Sequence, residues 1–385
     1  MTIDPILLLI AAPLVFALGW LASRLDLKQL RLEGQRAPKA YFKGLNHLLN
    51  EQQDQAIDAF IEAVRDDPDT SELHFALGNL FRRRGEYQRA VRVHEHLLAR
   101  GDLSEADRQR ARHALALDFL KAGLLDRAEE AFAALDGSPL QAQARLGRLA
   151  IYERTREWAR AAAMAESLEG TGLGSFQTRR AHHTCELAAE ALAEGRTADA
   201  HRLLSEAQRI APQAARPRLD QIQLLLREGR PTEAWEALLD LFRRVPSAAP
   251  LAAQAAVAAA RGCGQVPEAA ERLRALYQAH PSIDLLEALV ALNQDVLGDE
   301  ARARQAYVEH LERTPSLIAA SRWIAGEKLE HEQCHPLVQR ALDQAVRPLE
   351  RYRCAACGFE AREHHWHCPG CQAWDSYPPR RVEEL

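Results

Sequence analysis

The chain has 385 residues, 47% hydrophobic and 6% aromatic, with a formal net charge of -5 and seven cysteines. That length exceeds one core of ordinary size, so several domains or an extended array is expected, and the near-balanced charge gives no whole-chain case for nucleic-acid binding. An odd cysteine count in which two close pairs stand apart from three scattered residues argues against a disulfide scaffold and for a reduced compartment with one metal site. Ala, Leu, Arg and Glu dominate, so helix is predicted nearly throughout, with almost no sheet before residue 350.

Residues 5–23 contain no charged side chain, and 6–22 read ILLLIAAPLVFALGWLA, about the minimum length that crosses a bilayer as a helix. A transmembrane anchor is therefore predicted over 1–23, with Trp20 at an interface. A basic juxtamembrane linker follows over 24–38, carrying Arg24, Lys28, Arg31 and Arg36 against Asp26 and Glu33. The positive-inside rule puts the N-terminus outside and the bulk of the chain in the cytoplasm. A cleaved signal peptide lacks its basic n-region here, and an interfacial helix lacks a polar face.

Residues 39–346 form the predicted array. Pro212, Pro246, Pro281 and Pro315 lie 34, 35 and 34 residues apart, and Ala200, Ala234, Ala269 and Ala303 each precede the matching proline by twelve. A 34-residue period with a small residue at the helix contact and a proline after the second helix fits tetratricopeptide (TPR) helix pairs, each too small to bury its apolar face alone. Earlier units show the same logic: Gly44, Ala56, Phe60, Ala63 and Pro68; then Leu77, Gly78, Phe81, Gly85, Tyr87 and Ala90; then Gly123, Ala128 and Phe132; then Tyr152, Trp158 and Ala161. A degenerate last pair is expected between Pro315 and Val346, giving about eight or nine units. Phe60, Phe81, Phe132, Trp158 and Tyr307 read as core. Gly170, Gly172 and Gly174 mark a break between repeats, not a phosphate loop, since no strand or Lys-Ser/Thr pair accompanies them.

Within the array, Asn79, Arg82 and Arg83 lie on the first helix of the second unit, the helix that lines the groove in TPR arrays. They are candidates for holding a partner's carboxylate or backbone, against the plainer reading of a solvated face. His94-Glu95-His96 lacks the i, i+4 spacing of a metalloprotease motif, and His182, His183 and Cys185 have no spaced carboxylate or second thiol. No catalytic constellation emerges, so the chain is not read as an enzyme.

At residues 347–385 the character changes. Cys354-x-x-Cys357 and Cys368-x-x-Cys371, ten residues apart, form two metal knuckles whose turns let both thiolates point at one ion. All-thiolate coordination by Cys354, Cys357, Cys368 and Cys371 is predicted, closed to substrate and therefore structural. A module this small needs the metal's binding energy to fold, on the order of 10 kcal/mol. Softness alone leaves zinc and iron open. Phe359, Trp366 and Trp374 are expected to pack the knuckles onto the last repeats, making them part of the array's end.

Taken together, the short anchor, residues 41–60 (YFKGLNHLLNEQQDQAIDAF), 77–95 (LGNLFRRRGEYQRAVRVHE), 122–132 (AGLLDRAEEAF) and 352–374 (YRCAACGFEAREHHWHCPGCQAW) resemble the lipopolysaccharide assembly protein B (LapB/YciM) family. The resemblance implies an all-α TPR superhelix with an N-terminal transmembrane helix and a rubredoxin-like C-terminal metal domain. It also implies a single-pass inner-membrane adapter that regulates lipopolysaccharide biosynthesis by promoting degradation of the LpxC deacetylase by the membrane protease FtsH and by gathering lipopolysaccharide enzymes. The family's metal cysteines fall on Cys354, Cys357, Cys368 and Cys371. A rubredoxin-like domain favours iron, while the short ten-residue separation, unlike that of true rubredoxins, keeps zinc in play. Two other readings stand beside it: a TPR scaffold for another inner-membrane assembly, and a rubredoxin-type electron carrier. Homo-oligomerisation through an array face is left open.

Overall fold

The computed structural model describes residues 39–385 apart from 51, 67–69, 299 and 328–333. The anchor and linker expected over 1–38 lie outside the described residues, as does Pro68. Among the described residues no helix is long and apolar enough to cross a membrane. The described residues divide into two compact units, the first ending at Ile151 and the second running over Tyr152–Leu385.

The first unit is built from antiparallel helix pairs: α1 (Lys39–Leu49) with α2 (Gln53–Asp66), α3 (Ser71–Arg83) with α4 (Tyr87–Leu98), and α5 (Glu105–Ala122) with α6 (Leu125–Ala133). Close approach within a pair depends on a missing side chain. A Cβ on Gly44 would stand 2.9 Å from the Phe60 ring, and one on Gly78 would stand 2.5 Å from the His94 ring. Phe60 and His94 each follow their glycine by sixteen residues, so His94 occupies the place an aromatic residue takes in the first pair. Ala56, Ala63, Ala90 and Ala128 are fully buried at the same contacts, where any larger side chain would push the helices apart.

Helix α7 (Gln141–Thr155) runs into the second unit, which continues with α8 (Trp158–Leu168), α9 (Gln177–Ala193), α10 (Thr197–Ile210), α11 (Arg216–Arg227), α12 (Pro231–Arg244), α13 (Ala249–Cys263), α14 (Val266–Ala279), α15 (Ile283–Leu297), α16 (Glu300–Arg313), α17 (Leu317–Ile324) and α18 (His335–Val346). The predicted period is present. Ala200, Ala234, Ala269 and Ala303 are fully buried on second helices, and Pro212, Pro281 and Pro315 each follow a helix end, where a residue without an N–H stops the ladder. Pro246 likewise follows the end of α12, and it also opens a short 3-10 turn, Pro246–Ala248, that leads into α13. The glycine break falls between α8 and α9, with Gly170, Gly172 and Gly174 at φ of 76, 82 and 100°, backbone that other residues rarely adopt.

Among the described residues the sheet is confined to the C-terminal domain. Strands β1 (Tyr352–Arg353) and β2 (Glu360–Ala361) pair antiparallel, Tyr352 opposite Ala361. Tyr352, Cys354, Cys368 and Tyr377 make a small core against which Leu251 of α13 packs.

One expectation is corrected here. The metal domain does not sit only on the last repeats. It lies along the first helices of successive pairs in the second unit, touching α9 near residue 182, α13 at Leu251 and the starts of α15 and α17. Trp374 packs at α8 and α9, Trp366 lies beside His182 as well as against the large core of the later repeats, and Phe359 stays 44% exposed. Beyond the second knuckle, Arg381, Glu383 and Glu384 make the polar contacts to the starts of α15 and α17.

Candidate metal centre and its docking contacts

The four predicted ligands come together. Cys354, Cys357, Cys368 and Cys371 hold their Sγ atoms within 4.8 Å of one another, with Cys354 3.8 Å from Cys371 and Cys357 3.7 Å from Cys368. These are not disulfide lengths. Four sulfurs each about 2.3 Å from a central ion stand about 3.8 Å apart at the corners of a tetrahedron, so the donor set fits one zinc or iron equally well.

The electrostatics agree with a cation. Burial opposes ionisation of Cys354, but the Ser376 hydroxyl at 3.2 Å and the amides of Cys357 and Ala356 outweigh it and bring the thiol down to about 6. Cys368 is likewise lowered: burial opposes, but the Cys371 and Gly370 amides prevail. At Cys357 the Phe359 amide favours the thiolate, yet burial and the other three thiols together push the group up to about 12. Thiolates this close repel one another, and a divalent ion is what allows all four to ionise.

The second knuckle is aimed at the repeats by two residues in the left-handed region, Gln372 at φ 62° and Asp375 at φ 51°. Between them Trp374 stacks on His182 at 4.9 Å and on His367 at 4.3 Å, and meets the Trp158 ring edge-on at 6.3 Å. Its indole N–H donates to Glu153 Oε1 at 3.1 Å. The same buried carboxylate accepts from Arg179 Nε at 2.6 Å and Nη2 at 2.5 Å, and from His183 Nε2 at 2.7 Å. Burial would raise the Glu153 carboxyl, but the Arg179 fork and His183 hold it at about 2. Asp375 places both oxygens 2.9 Å from His182 Nε2.

At the far end the tail caps helices. Glu384 accepts the Ile283 N–H at 2.8 Å at the start of α15, and Glu383 accepts the N–H groups of Leu317 and Ile318 and the Ser316 hydroxyl at the start of α17. Carboxylates here satisfy orphan amide donors and meet the positive end of the helix dipole. Arg381 makes a two-point ion pair with Asp284, at 2.7 and 3.0 Å, and lies over the Tyr352 ring.

Of the groove candidates in the first unit, Arg82 is engaged within the repeats. Its Nη1 donates to Asp118 Oδ1 at 2.7 Å and to the Ala114 carbonyl at 3.1 Å, while Nη2 donates to the Asn79 side-chain oxygen. His94 Nδ1 meets the other Asp118 oxygen at 2.5 Å. Arg83 is exposed. Glu153, Arg179, His182, His183, Asp375, Arg381, Glu383 and Glu384 were not singled out as docking residues in the sequence. For His182 and His183 no carboxylate stands at regular spacing, because the carboxylates arrive from 193 and 30 residues away.

Helix pairs carrying a four-cysteine ribbon against their first helices define a TPR protein with a rubredoxin-like metal-binding domain. Residues 352–378 match the family described as rubredoxin metal binding domain, and residues 43–101 and 113–172 match the tetratricopeptide repeat family. Lipopolysaccharide assembly protein B of Escherichia coli (strain K12) is 31% identical, the alignment covering 97% of this chain and 98% of that protein. The protein of the same name from Haemophilus influenzae is 25% identical over 98% of this chain and 99% of its own length. A tetratricopeptide repeat protein from Parabacteroides merdae superposes with a TM-score of 0.36 at 15% identity, covering 66% of this chain and 97% of that one. The chain belongs to the lipopolysaccharide assembly protein B family.

Proposed function

We propose that the protein is a non-catalytic adapter in lipopolysaccharide assembly, tethered at the inner membrane by residues 1–23 and working from the cytoplasm. Full-length similarity to proteins named for lipopolysaccharide assembly carries this reading, and the helix-pair architecture suits an adapter. On this reading it promotes FtsH-dependent degradation of LpxC and organises other lipopolysaccharide enzymes. The tether turns each second binding step into an effectively intramolecular one, which raises occupancy without new contacts.

One metal ion, zinc or iron, is held by Cys354, Cys357, Cys368 and Cys371 and supplies folding energy to the ribbon. With four protein ligands it leaves no open position for a substrate. The repeats fix the ribbon through the Glu153 and His182 contacts and through the tail. In the first unit Arg83 is the exposed member of the candidate trio, and Asn79 and Arg82 hold its helix in place through Asp118, so a partner's carboxylate would meet Arg83 first.

The test is an affinity capture of the detergent-solubilised full-length protein from its native cells, with mass spectrometry of what is retained. Recovery of FtsH together with LpxC is expected. Recovery of a different membrane assembly, with neither of these, would replace the reading by the general scaffold one.

A further inference from the structure

A cavity of about 820 Å³ opens where α15 and α17 face the linker after α18 and the metal domain. Its wall holds five arginines against three carboxylates, an excess of two positive charges. The carboxylates are already answered. Asp284 is taken by Arg381, while Glu287 and Glu350 accept from Arg322 at 3.0 and 2.6 Å. The remaining Arg381 nitrogen donates to the Glu350 carbonyl at 2.7 Å. Arg351 reaches only to 3.6 Å of Glu360, beyond hydrogen-bond distance. Arg347, at the C-terminal cap of α18, and Arg362, just after β2, have no ion-pair partner among the described residues.

From this distribution we propose that the cavity is a binding site for a phosphomonoester anion, with Arg347 and Arg362 as its charge-bearing contacts and Arg351 beside them. A phosphomonoester carries about -1.5 to -2 charge at neutral pH, which matches the uncompensated excess. The planar guanidinium fork fits phosphate oxygens in pairs. The volume lies in the range of about 300–1,000 Å³ usual for small-ligand sites. An extended acidic peptide would run past the wall carboxylates Glu287 and Glu350, whereas one dianion needs only the unpaired arginines. Because the walls come from the late repeats and from the metal domain together, a bound anion ties the two. This goes beyond the adapter reading and does not depend on which proteins are recruited.

The experiment uses the full-length, metal-loaded protein at constant ionic strength. Calorimetric titration with glycerol 1-phosphate, with glycerol as the neutral control, is expected to show saturable one-to-one binding. Replacing both residues, Arg347→Gln with Arg362→Gln, is expected to weaken it at least about tenfold, while Arg243→Gln on α12 leaves it unchanged. Arginine modification by p-hydroxyphenylglyoxal, read by mass spectrometry on the unmutated protein, is independent of any folding defect: glycerol 1-phosphate should shield Arg347 and Arg362 and leave Arg243 reactive. Vesicles of phosphatidylcholine with and without phosphatidic acid identify the source. Shielding by phosphatidic acid vesicles but not by the soluble ester assigns a lipid headgroup, and the reverse assigns a soluble metabolite. If neither probe shields the two arginines, or if the double variant binds as well as the unmutated protein, the proposal is wrong.

Discussion

Asp118 and Glu153 are both buried carboxylates on the first helix of a repeat, and each accepts from one arginine and one histidine. Around Asp118 the circuit closes inside the first unit: Arg82 and His94 take both oxygens, and the carboxylate serves only to lock neighbouring helix pairs. Around Glu153 the Arg179 fork and His183 leave room on Oε1 for one more donor, and Trp374 of the metal domain supplies it across 221 residues of sequence. The same device therefore braces repeats in one unit and docks a separate domain in the other. What distinguishes them is whether the buried charge is satisfied locally or takes a group from the four-cysteine domain.

Ways to break this contrast can be ordered by size. The largest effect is expected from Cys354→Ser, which removes one of four ligands and with it much of a metal contribution on the order of 10 kcal/mol. Metal content by plasma emission should fall, and limited proteolysis should cut within 347–385 while the first unit stays intact. Unchanged resistance of that segment would show that the ribbon folds without its ion.

Next, Glu153→Gln and Asp118→Asn should separate the two roles. Each leaves buried donors short of a charged acceptor, at a cost of about 3 kcal/mol, but only Glu153→Gln should expose Trp374, read as a red shift of its emission. An equal shift in Asp118→Asn would erase the distinction. Smaller again, Glu383→Gln should cost about 1 kcal/mol by weakening the α17 cap, visible as faster amide exchange at Leu317 and Ile318 and nowhere in the first unit.

Acid should act on both units. Burial lowers His113 in the first, helped by the Arg82 charge, and burial lowers His183 in the second against the pull of Glu153. Below the ordinary histidine value of about 6.5 the unfolded chain binds protons that the folded one resists, so stability is lost as pH falls from there. Glu153 adds to this at lower pH: its depressed carboxyl gives stability that persists above about 4.5 and is lost on the way down to about 2. Thermal scans between pH 7.5 and 5.5, a range chosen to bracket about 6.5, should show a falling midpoint; a rising one would reverse the sign.

Much of this architecture was legible. The proline period and the alanines at 200, 234, 269 and 303 are local signals repeated until they cannot be accidental, and two Cys-x-x-Cys turns carry their own geometry. His94 could have been read further, because it stands sixteen residues after Gly78 as Phe60 does after Gly44. The docking was not legible. Glu153 is one glutamate among many on helix faces, and nothing near it in sequence marks Trp374 as its partner. Glu383 and Glu384 read as a charged tail, since the helix starts that they cap lie 65 to 101 residues earlier. Pairings of that kind depend on how far the tail travels over the repeats, which no spacing encodes.

The most direct test of the central claim, that a metal-dependent domain is held on the first helices of the second unit, is amide exchange of the full-length protein before and after chelation, read by mass spectrometry. Loss of protection in β1, β2 and the starts of α15 and α17, with greater solvent exposure of Trp374 and no change in α1 to α5, is the expected result. Protection of residues 347–385 and of those helix starts that survives complete metal removal would contradict it.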